Sequence, residues 1–171
     1  MRAQMEEGIL SSCSMKHVAK NQKTVALCAS TSFYKELLAI EKELKEAGFN
    51  VLVPYTAKEM QRTGNFEVDS YKTWYHDPVA YKRKSFLMRN HFKKIVRSDA
   101  ILVVNFRKHN VEGYIGGNVL MEMAIAFHLR KRIFIFNEVL AQSSFHEEIM
   151  GMQPIFIQGN LDLHLFNIEE A

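Results

Sequence analysis

Short apolar segments alternate with longer amphipathic segments along this chain, and this alternation limits its fold more than any other feature. Residues 24–30 (TVALCAS) and 50–54 (NVLVP) are apolar runs of strand length. Between them, residues 33–49 carry apolar side chains at helical spacing, with Gly48 as a helix stop signal. A strand–helix–strand order almost always implies parallel strands joined by a right-handed crossover. Residues 24–54 are therefore predicted to form such a unit.

The same alternation continues through the rest of the chain. The remaining predicted strands cover residues 99–105, 132–137 and 154–159. The remaining predicted helices cover residues 81–98, about 118–130 and 143–151, the last of them capped by Ser143 or Ser144. This order predicts a three-layer α/β domain of the flavodoxin or Rossmann-like type, with a five-stranded parallel sheet in the order 2-1-3-4-5.

The domain organisation is predicted from the parts of the chain that have a regular hydrophobic pattern and the parts that lack one. Residues 23–171 are expected to form the single α/β domain. Residues 1–22 are polar and aperiodic, and we expect a flexible N-terminal extension there. Residues 55–80 are rich in polar and aromatic side chains, which is typical of a functional loop or lid with short helical pieces.

Composition and charge exclude several classes of function. The formal net charge is +3, and the densest basic stretch, residues 81–94, is interrupted by apolar residues at helical spacing. A solvated helix face explains this stretch better than a nucleic-acid surface does. Cys13 and Cys28 are too few for a disulfide framework, and the seven histidines form no helix pair of metal ligands. We therefore predict no metal site and no cofactor.

Hydropathy along the chain bears on its location. No apolar window approaches the length of a membrane span, and the N-terminus lacks the apolar core of a signal peptide. A cytoplasmic protein without a membrane partner is the expectation.

Glu122 is the one charged residue in the apolar run of residues 114–127 (YIGGNVLMEMAIAF). A surface glutamate is the commonest explanation for such a residue, but the later part of its helical stripe is apolar, so the stripe is not a solvated face. Glu122 is therefore predicted to face a pocket near the start of its helix. The helix dipole favours its ionised form, whereas partial burial favours the neutral form. A carboxylate in that setting suits a nucleophile or a group that stabilises a cation.

Ligands of open parallel sheets bind beyond the carboxyl ends of the strands, where the strand order reverses. In the predicted order this point lies between strands 1 and 3, next to residues 29–33 and 105–117. Two glycines before a helix let a ligand approach N–H groups that can hold an anion, although a tight turn explains them almost as well. Small hydroxyl residues after strand 1 could line the same site or cap the first helix. The candidate binding residues are Ser30, Thr31, Ser32, Asn105, Gly116, Gly117 and Asn118.

Four segments together resemble the nucleoside 2-deoxyribosyltransferase superfamily, which includes deoxynucleoside monophosphate N-glycosidases. They are VALCASTSF (25–33), SDAILVVN (98–105), GGNVLMEMAIAF (116–127) and RKRIFIF (130–136). The resemblance places the family's catalytic glutamate at Glu122. It implies that this carboxylate attacks C1′ of the sugar and displaces the nucleobase, and that another base or water then takes the sugar. It also implies a homodimer or larger homo-oligomer, because family members complete their sites across a subunit interface.

The chain departs from the family pattern at several positions. The aspartate that handles the base is replaced by His91, which could donate a proton to the leaving base or pack as a core residue beside Phe92. Gly116 stands where the transferases carry an aspartate, and Ala124 replaces a glycine of the glutamate motif. The C-terminal NIEEA lacks the family's aromatic carboxylate end.

Three functions are compatible with these residues. The favoured one is cleavage or transfer at the N-glycosidic bond of a small-molecule nucleoside or its 5′-monophosphate, with Glu122 and His91 as candidate catalytic residues. A phosphoribohydrolase of the lysine-decarboxylase-like family is the second, although GGNVLME lacks that family's Gly-Thr pair. A non-catalytic nucleotide sensor is the third, and the missing aspartates favour it. Nucleic-acid binding is not expected.

Overall fold

A single parallel sheet organises the protein. The computed structural model describes residues 22–75 and 77–161. Its strands are β1 (Thr24–Ala29), β2 (Asn50–Leu52), β3 (Ala100–Val104), β4 (Arg132–Ile135) and β5 (Ile155–Phe156). All neighbours pair in parallel, in the order β2-β1-β3-β4-β5. The predicted fold class and strand order are confirmed.

Over residues 22–75 and 77–161, five α-helices connect and cover the strands. They are α1 (Tyr34–Glu46), α2 (Tyr55–Thr63), α3 (Tyr81–Arg97), α4 (Gly117–His128) and α5 (His146–Gly151). The segment predicted as a loop or lid with helical pieces, residues 55–80, contains α2 and three 3₁₀ turns. A further 3₁₀ turn, Thr31–Phe33, leads from β1 into α1. The prediction of helical pieces over residues 55–80 is therefore confirmed.

The predicted cap of the last short helix is wrong. Helix α5 begins at His146, and its N-cap residue, Phe145, makes no side-chain capping bond. The backbone of the preceding residues forms turns instead, and the carbonyl of Ser143 accepts from the His146 N–H at 3.1 Å. A serine carbonyl therefore bonds to the first residue of the helix, whereas the sequence pattern predicts a capping bond from a serine hydroxyl.

Side chains of β1 alternate between the two faces of the sheet. Val25, Leu27 and Ala29 pack in one buried cluster, whereas Ala26 and Cys28 belong to a second. The helices contribute Leu37, Leu44 and Met60 to the first cluster, and Ile95, Met123 and Ile149 to the second. Because both faces are covered, the strands read as continuous apolar runs in the sequence.

The pairing of β1 with β3 positions the loops that follow them. Ala29 lies opposite Val104, so the two strands end side by side at the same edge of the sheet. At the other end, Oδ2 of Asp99 accepts a hydrogen bond from the Thr24 N–H at 2.7 Å. The order of the sheet reverses between these two strands, which is where a ligand cleft is expected.

Some predicted features fall outside the described residues. These are Cys13, the predicted extension apart from Gln22, and the chain after Leu161. Within the described ranges, no helix combines the length and the apolar content needed to cross a bilayer.

Candidate active site

A cleft with two adjoining lobes opens at the carboxyl edge of β1 and β3. The outer lobe has a volume of about 610 Å³ and is bounded by the loop after β1, the loop after β3 and the start of α4. The inner lobe is narrower, about 70 Å³, and reaches down between α2 and α3. The lobes share a wall formed by Thr31, Tyr34, Lys72, Lys84, Asn118 and Glu122.

Glu122 lies on this shared wall, in the second turn of α4. Val119, Met123 and Ala126 of the same helix are buried in the core, and Glu122 lies beside that buried stripe. Its side chain is 13% exposed. Its Oε2 atom has no hydrogen-bond partner among the described residues. The structure therefore places the Glu122 carboxyl on the wall of the cleft, with Oε2 shielded from solvent and facing His91.

Burial sets the protonation of Glu122. It raises the pKa of the carboxyl from 4.5 to about 8, and the Cys28 hydrogen bond and the positive charge of Lys84 oppose this rise only in part. The helix dipole and burial act in opposite directions on such a group, and burial wins here. At pH 7 most of the free protein therefore carries Glu122 in its neutral form.

His91 lies against Glu122 from α3. Its Nε2 atom is 3.8 Å from Glu122 Oε2 and 3.6 Å from Cys28 Sγ. Burial, aided by the positive charge of Lys94, lowers the pKa of His91 to about 3, although the Leu27 backbone acts the other way. The imidazole is therefore neutral at physiological pH and does not supply a proton as an imidazolium. Of the two roles left open for His91, the packed histidine fits this environment better than the acid.

Cys28 completes a cluster of three potential metal ligands with His91 and Glu122. The ligand atoms of the three side chains all lie within 4.8 Å of one another, a spacing at which they could hold a metal ion. Spacing along the chain does not show this cluster, because its members come from β1, α3 and α4. Burial, together with the charge and hydrogen bond of Glu122, raises the pKa of the Cys28 thiol well above its usual value. Metal binding would have to displace that proton.

The hydroxyl residues after β1 divide into two groups. Ser30 and Thr31 line the outer lobe, whereas Ser32 is exposed and does not line it. Neither Ser30, at the start of the 3₁₀ turn, nor Phe33, at the start of α1, makes a side-chain capping bond. The proposed capping role is therefore not seen, and two of the three residues reach the cleft.

Asn105 does not reach the cleft, contrary to its place among the predicted binding residues. Its side chain is fully buried. Its Nδ2 donates to the carbonyls of Gly113 and Asn137, and its Oδ1 accepts from the Asn137 N–H at 2.8 Å. This amide holds together the loops that follow β3 and β4. A buried asparagine with all its bonds made to the main chain has nothing left for a ligand.

Gly116 and Gly117 lie at the start of α4 and line the outer lobe. Gly116 has φ −95°, which any residue adopts, and a Cβ on Gly117 would meet no atom within 4 Å. A left-handed turn therefore does not require the pair, but a Cβ on Gly116 would lie 3.0 Å from the Tyr114 hydroxyl, so packing against Tyr114 explains that glycine. No side chain caps this helix, so its first N–H groups face the lobe without a protein cap. Asn118 lies next to them and accepts a hydrogen bond from Lys84.

Lysines also line the cleft, and the sequence pattern did not predict them as site residues. Lys84 lies in the stretch interpreted as a solvated helix face, yet it lines both lobes. Its Nζ donates to Asn118 Oδ1 at 3.0 Å and lies 5.4 Å from the ring centroid of Trp74. The sequence does contain a pattern that could have identified Lys84. Lys84, His91 and Ile95 recur at helical spacing and share one face of α3. Lys72 and Lys108 lie in loops, where no periodicity marks them.

Comparison with protein-family models gives no match for this chain, and comparison with curated proteins gives none either. The family membership therefore stays a prediction, which rests on the four segments quoted above.

Proposed function

We propose that this protein cleaves or transfers at the N-glycosidic bond of a nucleoside or its 5′-monophosphate, with Glu122 as the nucleophile. One observation carries the proposal: Glu122 lies in the cleft at the edge of β1 and β3, largely buried, and its Oε2 makes no hydrogen bond to the described residues. A structural carboxylate at this depth would be expected to have its oxygens paired.

The two lobes differ in a way that suits the two ends of a nucleotide. Four aromatic side chains line the inner lobe, and planar rings of this kind stack on nucleobases. They are Tyr34, Tyr55, Tyr71 and Trp74. The outer lobe contains the start of α4, which has no side-chain cap among the described residues, together with lysine ammonium groups. Both features suit a phosphate. A sugar bridging the lobes would place its anomeric carbon at their shared wall, beside Glu122.

The proposed reaction is a double displacement. The ionised carboxylate of Glu122 forms a bond to C1′ as the C1′–N bond breaks, and the electron pair leaves with the base, which takes a proton from solvent water. Water or a second base then attacks C1′ and releases Glu122. The attack needs the ionised form, so the rate is expected to follow the titration of Glu122.

The test is base release from a panel of nucleosides and 5′-monophosphates, followed by chromatography. Glu122→Gln should lower kcat by about 10³-fold or more, since the neutral amide has the same shape but is a far poorer nucleophile. Glu43→Gln, on the exposed side of α1, is the matched control and should leave the rate unchanged. Base release that survives Glu122→Gln at full rate would disprove the proposed mechanism.

A nucleotide sensor without catalysis is the second candidate. The raised pKa of Glu122 and the lowered pKa of His91 favour it, because both groups are largely neutral at pH 7. Tight nucleotide binding without release of base, at pH 7 and at pH 9, would favour the sensor over the enzyme.

A further inference from the structure

Three lysine side chains from separate parts of the fold line the outer lobe. Lys84 comes from the first turn of α3, Lys72 from the segment before it, and Lys108 from the loop between β3 and α4. Among the described residues that line this lobe, Glu122 is the single acidic one. The lobe therefore carries a concentration of positive charge.

Gathering these charges has an electrostatic cost. Burial lowers the pKa of all three ammonium groups. The charge of Lys72 lowers the pKa of Lys84 and of Lys108 further, while Asp69 partly offsets the effect of burial on Lys72, and Glu122 partly offsets it on Lys84. Like charges held together in a partly desolvated cleft repel each other, and a bound anion would relieve that repulsion.

Neutral groups hold two of these lysines in place. Lys84 Nζ donates to Asn118 Oδ1 at 3.0 Å, and Lys108 Nζ donates to Ser30 Oγ at 3.1 Å. Each ammonium also lies 5.4 Å from the centroid of an aromatic ring. These contacts fix the positions of the ammonium groups without cancelling their charge. Each bond uses one of the three N–H donors of its lysine, so others are left for a ligand.

The start of α4 adds a fourth source of positive potential. Gly116 and Gly117 line the lobe at this helix start, where the described residues make no side-chain capping bond, and such a terminus can bind one phosphate. The three ammonium groups exceed what the charge of a single phosphate monoester requires. A chain of phosphates, in which each further group adds negative charge, matches the lobe better.

We propose that the outer lobe is a subsite for linked phosphates, in which Lys72, Lys84 and Lys108 hold the outer phosphate groups of a nucleoside di- or triphosphate. The inner phosphate lies at the start of α4. The inference rests on the proposed function for the placement of base and sugar, and it deepens that function by naming the substrate class.

Calorimetric titration of the purified protein with orthophosphate, pyrophosphate and tripolyphosphate, in buffer containing EDTA, tests the subsite directly. Tripolyphosphate should bind at least about tenfold more tightly than orthophosphate. Lys108→Met should weaken tripolyphosphate binding about tenfold, and Lys108→Arg should retain most of it. Lys82→Met, on the exposed face of α3, is the charge-matched control and should change nothing. A thermal melt of each variant establishes that it is folded.

Equal affinity for the three anions would overturn the inference, and so would an equal loss in Lys82→Met and Lys108→Met. Tighter binding of a single-stranded oligonucleotide than of tripolyphosphate would overturn it too, in favour of a nucleic-acid backbone.

Measurements of base release distinguish a failure of this inference from a failure of the proposed function. Equal kcat/KM for a monophosphate and its triphosphate removes the subsite but keeps the reaction. Tight tripolyphosphate binding without base release from any nucleotide removes the reaction but keeps the subsite.

Discussion

Two buried glutamates of this protein, Glu41 in α1 and Glu122 in α4, show how differently a fold can treat the same side chain. Glu41 is the more deeply buried, with 4% of its side chain exposed, yet both of its oxygens are paired. Oε1 accepts from Lys45 Nζ at 2.7 Å and Oε2 from Lys58 Nζ at 2.6 Å. Glu122 is 13% exposed, and its Oε2 lies 3.8 Å from the neutral His91 and accepts no hydrogen bond from the described part of the chain.

The comparison teaches that depth alone does not mark a functional carboxylate. The pairs made by Glu41 join α1 to itself and to α2, so its charge is compensated within the structure. Glu122 faces His91, which is neutral at physiological pH, and a cleft wide enough for a small molecule. What separates the two residues is whether lysines within the described ranges pair with both carboxylate oxygens, as they do at Glu41, or leave one oxygen without a hydrogen bond, as at Glu122.

The largest expected effect contrasts the two residues in catalysis. Glu122→Gln should abolish base release, by about 10³-fold or more, because it removes the nucleophile. Glu41→Gln should leave the rate of base release within about twofold, because its surroundings lie away from the cleft lining. Steady-state kinetics on both variants measure this. Comparable losses of rate in the two variants would mean that the different pairing of Glu122 and Glu41 has no bearing on catalysis.

A second expectation concerns stability, and here Glu41 is the residue whose surroundings matter. The double substitution Lys45→Met and Lys58→Met leaves Glu41 buried without a partner, so the free energy of unfolding should fall by about 2–4 kcal/mol. The figure is at the lower end for buried pairs because both lysines are about half exposed. Urea denaturation measures the change. Adding Glu41→Leu to the double variant should restore most of the lost stability, and failure to do so would contradict the assigned cause.

The raised pKa of Glu122 predicts a pH dependence of stability. Between pH 4.5 and about 8 the folded protein keeps a proton that the unfolded chain releases, so this stabilisation is lost as the pH rises. Relative to Glu122→Gln, the wild type should lose up to about 1.4 kcal/mol per pH unit within that window. Unfolding curves at pH 5, 6.5 and 8 test this. A constant difference between the two proteins would show that Glu122 titrates normally.

The lowered pKa of His91 changes the stability in the opposite direction, and its pH range overlaps with that of Glu122. Its neutral form is favoured in the folded state, so its contribution is lost as the pH falls from 6.5 towards about 3. Because both proteins contain His91, comparing wild type with Glu122→Gln removes most of this contribution.

The smallest expected effect concerns Cys28, whose hydrogen bond lowers the pKa of Glu122. Cys28→Ala removes that bond, so the midpoint of the pH–rate profile should move up by a fraction of a pH unit. The buried cavity should cost about 1 kcal/mol of stability. A rate profile that moves down, or does not move while the protein is destabilised, would show that the thiol does not act on the carboxylate.

Local patterns were sufficient to predict most of the fold. The apolar runs at residues 24–30 and 99–105 predict buried parallel strands, and the structure has β1 and β3 there. The site was predicted less completely. Glu122 stood out because its apolar surroundings are contiguous in the chain, whereas Lys72 and Lys108 are loop residues without a pattern. The position of Asn105 after a strand suggested ligand binding, but its amide bonds to the main chain of two loops.

The order of strands and helices, and the edge of the sheet where a cleft opens, follow from the amino-acid pattern alone. They do so because hydrophobic periodicity and crossover handedness act over short stretches of chain. Only the tertiary structure brought Cys28, His91 and Glu122 within 4.8 Å of one another. It alone paired both oxygens of Glu41 and left Glu122 Oε2 without a hydrogen bond among the residues that the structure describes. The reason is that contacts between side chains of different elements, and the burial that shifts their pKa values, depend on how helices pack on the sheet, which no local pattern records.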